Sequence, residues 1–562
     1  MLPRFSAILL GFATCVLATS STCSVDSINA MLAAIEGPPR VLEAQQIASN
    51  GTSGQVGDIA YPANATNLPS LCLTWVNVTS SPTSSYTFGL MLPDVWNARF
   101  LAVGNSGFSG GVNWQEMGVG ARYGFATMST DTGHNSTGQD MTWALGNPEA
   151  KKDWAGRSLH GSTVVAKNIV EGYYAGKTLE RSYYSGCSTG GRQGIKSAQE
   201  YPEDFDGILA GAPAWWSTRQ QLWQLKVGAI NLPEDSPGFI PSAMFSAIGD
   251  EVLRQCDRSD GIADGIIMDP RKCNLRLEKL LCTPNRTGNS SSCLTKPQLH
   301  TLQQLYLPLI EFDAGVHKLE YLYPNFGVGS EMQIPSSLGQ NNAPSLYGTD
   351  YAVKYIFDDA AWDWRTNFSY ATFVDADRLN PGDVNALQYD LSAFHARGGK
   401  VITYHGYADG LIPPGASRLL YDNTYTEMAG HGVELDDFYR LFFVPGMQHC
   451  GGSVYDAPWY FGGSGQGTTL QDLARQEVWP LPGYGDGQHD ALLALMEWVE
   501  KDQAPELIVA TKFRNDTIEK GLCVRGPSAS IPGRRSIRGA GISTMRPIGL
   551  VSRSLATCNR AD

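Results

Sequence analysis

Short apolar runs that empty into glycine loops recur along this chain, and they mark buried strands. Residues 99–103, Arg-Phe-Leu-Ala-Val, lead into Gly104-Asn105-Ser106-Gly107-Phe108-Ser109-Gly110-Gly111. Residues 400–406 and 438–445 repeat the pattern, with turn residues after each. Brief apolar runs closed by glycine or proline read as strands rather than helices. Residues 181–185 form a shorter polar and aromatic strand, and 190–200 a helix closed near Pro202. Residues 490–501 have the periodicity of an amphipathic helix. At the N-terminus, Arg4 precedes an apolar run over 7–17 and small residues at Ala18 and Ser20. That order predicts a secretory signal over 1–20. The run is too short to span a membrane, and no other segment reaches that length.

The strand at 181–185 and the helix at 190–200 flank Gly186-Cys187-Ser188-Thr189-Gly190-Gly191. Gly-x-Ser-x-Gly between a strand and a helix is the pattern of a nucleophile elbow, in which small neighbours permit a strained turn that lifts the serine hydroxyl. Ser188 is the candidate nucleophile, and the Thr189 N–H a natural oxyanion donor. A bare match to the pattern would also suit a plain turn; the flanking elements and the second glycine favour the elbow. A serine needs a base, and the base an orienting carboxylate. Asp409 lies in the loop after the 400–406 strand, and His449 in the glycine-rich loop after the 438–445 strand. Their order after the serine is acid, then histidine. Among the nine histidines, His405 reads as structural, His489 as surface or cap, and His134 as a residue able to line the site. A second oxyanion N–H is expected from the 104–111 loop, with Gly107 as the candidate and a simple glycine turn as the bland alternative. Cys187 precedes the serine and Cys450 follows the histidine. A bond between them would staple the two loops together.

A formal charge of −13 and no basic stripe argue against nucleic acid or an anionic membrane as partner. Residues 220–395, rich in Trp, Tyr, Pro and Asn, separate the two sets of strands and stand where a lid would cover the site. Their aromatics suit either an aromatic acyl group or the lid's own core. Within them, Cys256-Asp257-Arg258-Ser259-Asp260-Gly261-Ile262-Ala263-Asp264-Gly265-Ile266 alternates carboxylates with turn residues. It lacks the terminal Glu of an EF-hand. From the residues alone, a calcium loop and a solvated acidic turn are equal readings. The Asn-x-Ser/Thr sites at Asn50, Asn64, Asn77, Asn135, Asn285, Asn289, Asn367 and Asn515 suit a glycosylated exported protein. Residues 526–562 are basic, rich in Ser and Gly, and without periodicity, which predicts an irregular tail.

Four segments carry a family resemblance: Tyr184-Ser185-Gly186-Cys187-Ser188-Thr189-Gly190-Gly191-Arg192-Gln193-Gly194, Phe205-Asp206-Gly207-Ile208-Leu209-Ala210-Gly211-Ala212-Pro213-Ala214, the Asp409 loop, and His449-Cys450. With the acidic loop they span about residues 85–525. The chain resembles the tannase and feruloyl esterase family of secreted α/β-hydrolases. The resemblance implies an α/β-hydrolase domain over 21–219 and 396–525 with an inserted lid over 220–395. It implies a Cys187–Cys450 disulfide beside the triad. It also implies a structural calcium in the lid, held by the side chains of Asp257, Asp260 and Asp264 and the carbonyls of Ile262 and Ile266. Cys15 falls in the signal, which leaves ten of the 11 cysteines. Cys256–Cys273 and Cys282–Cys293 are the expected local pairs, Cys23–Cys72 is a plausible third, and Cys523–Cys558 is what remains. The implied activity is serine-dependent cleavage of small aromatic-acid esters of plant polysaccharides. Ser129-Thr130-Asp131-Thr132-Gly133-His134 and Ala214-Trp215-Trp216 resemble the feruloyl esterase branch more than the tannase branch. Galloyl ester hydrolysis is the alternative. A catalytically dead hydrolase fold serving as a binding module is the remote one, and a complete triad speaks against it.

Overall fold

The apolar runs are strands of one large sheet. The computed structural model describes residues 22–35, 37, 39–283, 293–313, 318–470 and 478–530. We label the sheet's strands β1 (Arg40–Ile47), β2 (Leu71–Ser81), β3 (Ser84–Pro93), β4 (Arg99–Val103), β5 (Ala126–Thr130) and β6 (Arg181–Cys187). They continue as β7 (Gly207–Gly211), β8 (Lys400–Gly406), β9 (Tyr439–Val444), β10 (Leu507–Phe513) and β11 (Leu522–Ser530). Across the sheet the order is β1-β2-β3-β5-β4-β6-β7-β8-β9-β11-β10. From β5 to β9 every neighbouring pair is parallel. The flanks are antiparallel: β1, β2 and β3 on one side, β11 and β10 on the other.

The parallel strands read as unbroken apolar runs because both of their faces are covered. Alternate residues go to opposite sides. Phe100, Ala102, Tyr184, Ile208 and Val401 pack with Leu159 and Ile169 of helix Ser158–Tyr173 and Leu420 of helix Pro414–Gly430. Leu101, Val103, Tyr183, Leu209 and Ile402 pack with Trp114 and Met117 of helix Trp114–Arg122 and Leu495 and Trp498 of helix Ala491–Lys501. This helix–sheet–helix layering, with a strand–serine–helix turn at its centre, is an α/β-hydrolase fold.

A further core lies beyond the sheet. It gathers Leu222 and Trp223 of helix Ser217–Ile230, Ile248 and Val252 of helix Met244–Cys256, and Leu302 of helix Lys296–Tyr306. Phe108 from the loop after β4 and Ile412 from the loop after β8 join the same core. The segment between β7 and β8 is therefore packed directly on the loops that leave the carboxyl ends of the strands.

Two parts of the sheet depart from the sequence reading. β1 and β2 extend it upstream of residue 85. β11 runs to Ser530, five residues into the stretch expected to be irregular, 526–562. Its backbone pairs with β10 from Leu522 to Ala529. Ladder pairing uses main-chain groups, so it needs no side-chain periodicity. Four disulfides join pairs of described residues: Cys23–Cys72, Cys187–Cys450, Cys256–Cys273 and Cys282–Cys293. The signal at 1–20, Asn285, Asn289 and Cys558 lie outside the described residues. Among the described residues no helix is long and apolar enough to cross a membrane.

Candidate active site

Ser188 sits between β6 and helix Thr189–Glu200 at φ 65°, ψ −121°. Such a conformation costs a non-glycine residue on the order of 1–3 kcal/mol unless its surroundings impose it. Here they do. Its N–H donates to Gly211 O (2.9 Å), and its carbonyl accepts from Ala214 N (3.0 Å). Glycine is needed on both sides. A Cβ on Gly186 would lie 2.5 Å from Tyr184 Oη, and one on Gly191 2.3 Å from Gly211 O.

Asp409 is wholly buried in the turn after β8. Its Oδ1 accepts from Leu411 N and Ile412 N, both at 2.8 Å. Its Oδ2 faces two imidazoles, His449 Nδ1 at 2.6 Å and His405 Nε2 at 3.0 Å. Burial alone would raise this carboxyl's pKa. The adjacent His449 and His405 outweigh it and hold the group well below the usual carboxylate range. His405 Nε2 also points at Ile412 O (2.9 Å). With two acceptors before it, that nitrogen carries the proton. His405 is thus a buried strut beneath the carboxylate, while His449 projects from the loop after β9 towards the serine's side.

The base loop and acid loop share one clamp that the sequence did not reveal. Gln333 Oε1, from the segment between β7 and β8, accepts from His449 N (3.1 Å) and Gly410 N (2.9 Å). Ser337 Oγ donates to Gly410 O (2.7 Å) beside it. The Cys187–Cys450 bond closes the other side, joining the residue before Ser188 to the residue after His449.

Ser188, Thr189, His449, Cys187, Cys450 and Gly107 line one cavity of about 330 Å³. Thr189 opens its helix, so its N–H has no intrahelical acceptor. Its hydroxyl donates to Gly107 O (2.7 Å). In the loop after β4, Gly104 N donates to Ser185 O, Asn105 N to Gln193 Oε1 and Ser106 N to Tyr61 Oη. The Gly107 N–H has no partner among the described residues. Gln193 Nε2 returns a bond to Asn105 Oδ1 (3.1 Å), which clamps this loop to the serine's helix. Glu116 closes a wall of the cavity by accepting from Ser464 Oγ and Gly465 N, and burial raises its pKa.

His134 is not among the cavity-lining residues. It stacks on Trp143 at 3.9 Å and binds Phe108 O, and burial lowers its pKa to about 4. It buttresses the 104–111 loop from behind. In the acidic loop, Asp257 Oδ1 accepts from Asp264 N and Gly265 N, Asp260 Oδ1 from Ile262 N, and Asp264 Oδ1 from Ile266 N. The donors are hard oxygens of the kind calcium takes. They are not gathered, however: among the described residues no three His, Cys, Asp or Glu side chains group as a metal-holding cluster. Asp260 and Asp264 each cap their own turn, and Asp257 reaches across the loop to the N–H groups of residues 264 and 265.

Known proteins share this frame. A probable feruloyl esterase B-1 of Aspergillus flavus is 36% identical over 447 residues, 80% of each chain. A probable feruloyl esterase B-2 of Aspergillus terreus is 35% identical over 445 residues, 79% of each. The crystal structure of feruloyl esterase B from Aspergillus oryzae superimposes with a TM-score of 0.78 at 31% identity, covering 90% of this chain and 96% of that one. A tannin acyl hydrolase from Aspergillus niger, at 20% identity and a TM-score of 0.69 over 91% and 92% of the chains, shares the fold. The model of the family described as tannase and feruloyl esterase matches residues 73–532, from β2 through β11 and across both reactive loops. The chain belongs to that family.

Proposed function

We propose that the protein is a secreted serine carboxylic-ester hydrolase that frees hydroxycinnamic acids, of the ferulic acid type, from esters of plant cell-wall polysaccharides. One observation carries the reading: Ser188 and His449 line the same cavity, and His449 Nδ1 is bonded to a carboxylate held ionised. With Nδ1–H donated to Asp409, Nε2 is left to accept the serine proton. Ser188 attacks the ester carbonyl while His449 takes that proton. The N–H groups of Thr189 and Gly107 stabilise the oxyanion. His449 then protonates the leaving alcohol and activates the water that releases the acid. Asp409 stays charged throughout and favours the imidazolium.

The acyl preference follows the feruloyl esterases named among the relatives. The tannase alternative draws on a neighbour that shares the fold alone. Exposed Asn50, Asn64 and Asn367 suit an exported glycoprotein. Calcium in the lid is part of the proposal: Asp257, Asp260 and Asp264 with the carbonyls of Ile262 and Ile266 would hold it. When bound it would neutralise the three carboxylates of the loop and take no part in the chemistry. The test of function is kcat/KM on methyl ferulate, methyl caffeate and methyl gallate. Hydroxycinnamates are expected to lead by a wide margin; methyl gallate leading would replace this reading by the tannase one. A serine-reactive phosphonate that fails to label Ser188 would remove both.

A further inference from the structure

Helix Ser217–Ile230 starts just after Ala214, whose N–H holds the Ser188 carbonyl. It brings three glutamines to the reaction cavity. Gln220, Gln221 and Gln224 all line it with Ser188 and His449. Their spacing puts Gln220 and Gln224 one turn apart on one helix face, with Gln221 beside them. They are only 3%, 5% and 2% exposed. The Oε1 atom of each is buried without a hydrogen-bond partner among the described residues. Native interiors leave few such groups, and three in one patch ask for an explanation. Polar neighbours on the same helix reach a carboxylate. Thr218 Oγ1 donates to Asp377 Oδ1 (2.6 Å), and Arg219 Nε to Asp377 Oδ2 (2.7 Å). Only Gln224 among the three is anchored, with Nε2 on Leu411 O at 3.0 Å, in the acid loop. Turning the Gln220 or Gln221 amide over exchanges an acceptor for a donor and does not supply the missing partner.

A hydroxyl is the group that meets this patch, because it donates to an amide oxygen and accepts from an amide nitrogen. A bare ring or alkyl chain would strip the amides of water and give nothing back. We propose that Gln220, Gln221 and Gln224 form a hydroxyl-reading row that selects esters bearing hydroxyl groups near the scissile bond. The inference rests on the ester-hydrolase reading and names what that site recognises. The phenol of the acyl ring and the hydroxyls of a sugar alcohol are two sources of the same chemistry.

The test uses Gln220→Met and Gln221→Met, which keep volume and remove the amide. Gln224 is spared because it also holds Leu411. Substrates are methyl cinnamate, without a ring hydroxyl, methyl caffeate, with two, methyl ferulate and a feruloyl pentose. We expect the caffeate-to-cinnamate ratio of kcat/KM, or the feruloyl-pentose-to-methyl-ferulate ratio, to fall about 10-fold in each variant. The first result assigns the row to the acyl phenol and the second to the sugar. Unchanged ratios in both variants overturn the proposal. Should either variant fail to fold, the wild-type series decides. A site built around a hydroxyl discriminates against its absence by about 10²-fold or more, so equal kcat/KM on all four esters overturns it too. Wild-type inactivity on every hydroxycinnamate, with turnover of methyl gallate, would strike the feruloyl reading alone. The row would then be judged by the variants' methyl gallate to methyl benzoate ratio.

Discussion

Cys187–Cys450 joins positions 263 residues apart, and Cys256–Cys273 joins positions 17 apart. The first staples the reaction centre and the second the acidic loop of the inserted segment. The hydrogen bonds around them follow the same division. At the reaction centre they cross the chain: Asn105 to Gln193, His449 to Asp409, and Gly410 and His449 to Gln333. In the acidic loop, Asp257 and Asp260 bond backbone within the loop itself. A site fixed by several distant elements is preorganised for its chemistry. A loop bonded mostly within itself leaves more of its shape for a ligand to set.

The largest expected effect is at the preorganised end. Ser188→Ala should lower kcat on the order of 10⁶-fold with the unfolding temperature unchanged. Ser188→Gly should be equally inactive but more stable, by about 1 kcal/mol, because glycine accepts the positive φ that serine is held in. Activity near wild type in either variant would move the nucleophile elsewhere. A Ser188→Gly protein no more stable than Ser188→Ala would show that the turn stores no strain.

Breaking the two staples sharpens the contrast. Replacing Cys187 and Cys450 by serine should lower kcat at least about 100-fold, since about 1 Å of drift between serine and base is enough. Stability should fall by about 2–5 kcal/mol. The Cys256/Cys273 double serine variant should lose stability while its folded fraction keeps wild-type kcat. Equal kcat losses in the two variants would erase the distinction drawn here.

Gln333 tests whether the inserted segment only covers the site or also holds it. Gln333→Met leaves two N–H groups, of Gly410 and His449, without their acceptor. We expect kcat to drop about 10-fold, with KM moving much less, because the change loosens the acid–base pair and not the substrate contacts. A KM effect alone would make Gln333 part of substrate binding.

What was legible in the sequence follows from which forces placed each residue. β4 and β8 match their expected limits because parallel strands covered on both faces must be apolar throughout. Ser188, Asp409 and His449 could be proposed from the sequence because each sits at the end of such a strand, where the chain order is informative. The glutamines were not. An amide side chain suits a surface, a cap or a cavity equally, and the atoms that decide are far along the chain, as with Gln193 and Asn105, 88 residues apart. The helical spacing of Gln220, Gln221 and Gln224, four residues and more beyond the Ala214-Trp215-Trp216 run, was the available signal. β11 escaped because its pairing rests on main-chain groups. His134 was misplaced because its loop approaches the site while its ring turns back onto Trp143.

The smallest expected effect belongs to the acidic loop. Asp257, Asp260 and Asp264 put three carboxylates within eight positions, each with one oxygen already committed to backbone N–H groups. A cation relieves their mutual repulsion, and binding to the folded state alone raises stability by about 2.7 kcal/mol at a hundred times Kd. For a chain of this size that corresponds to an unfolding temperature higher by about 2–5 °C. Chelation with EDTA should remove the metal and that increment together. The kcat of folded enzyme should not change, because no residue of the loop lines the reaction cavity. Removing the Cys256–Cys273 bond should enlarge the chelation effect, since the loop would then have lost its covalent restraint. Unchanged metal content and an unchanged unfolding temperature after chelation would end the calcium proposal. The loop would then stand as a set of turns that Asp257 and Asp260 cap by themselves.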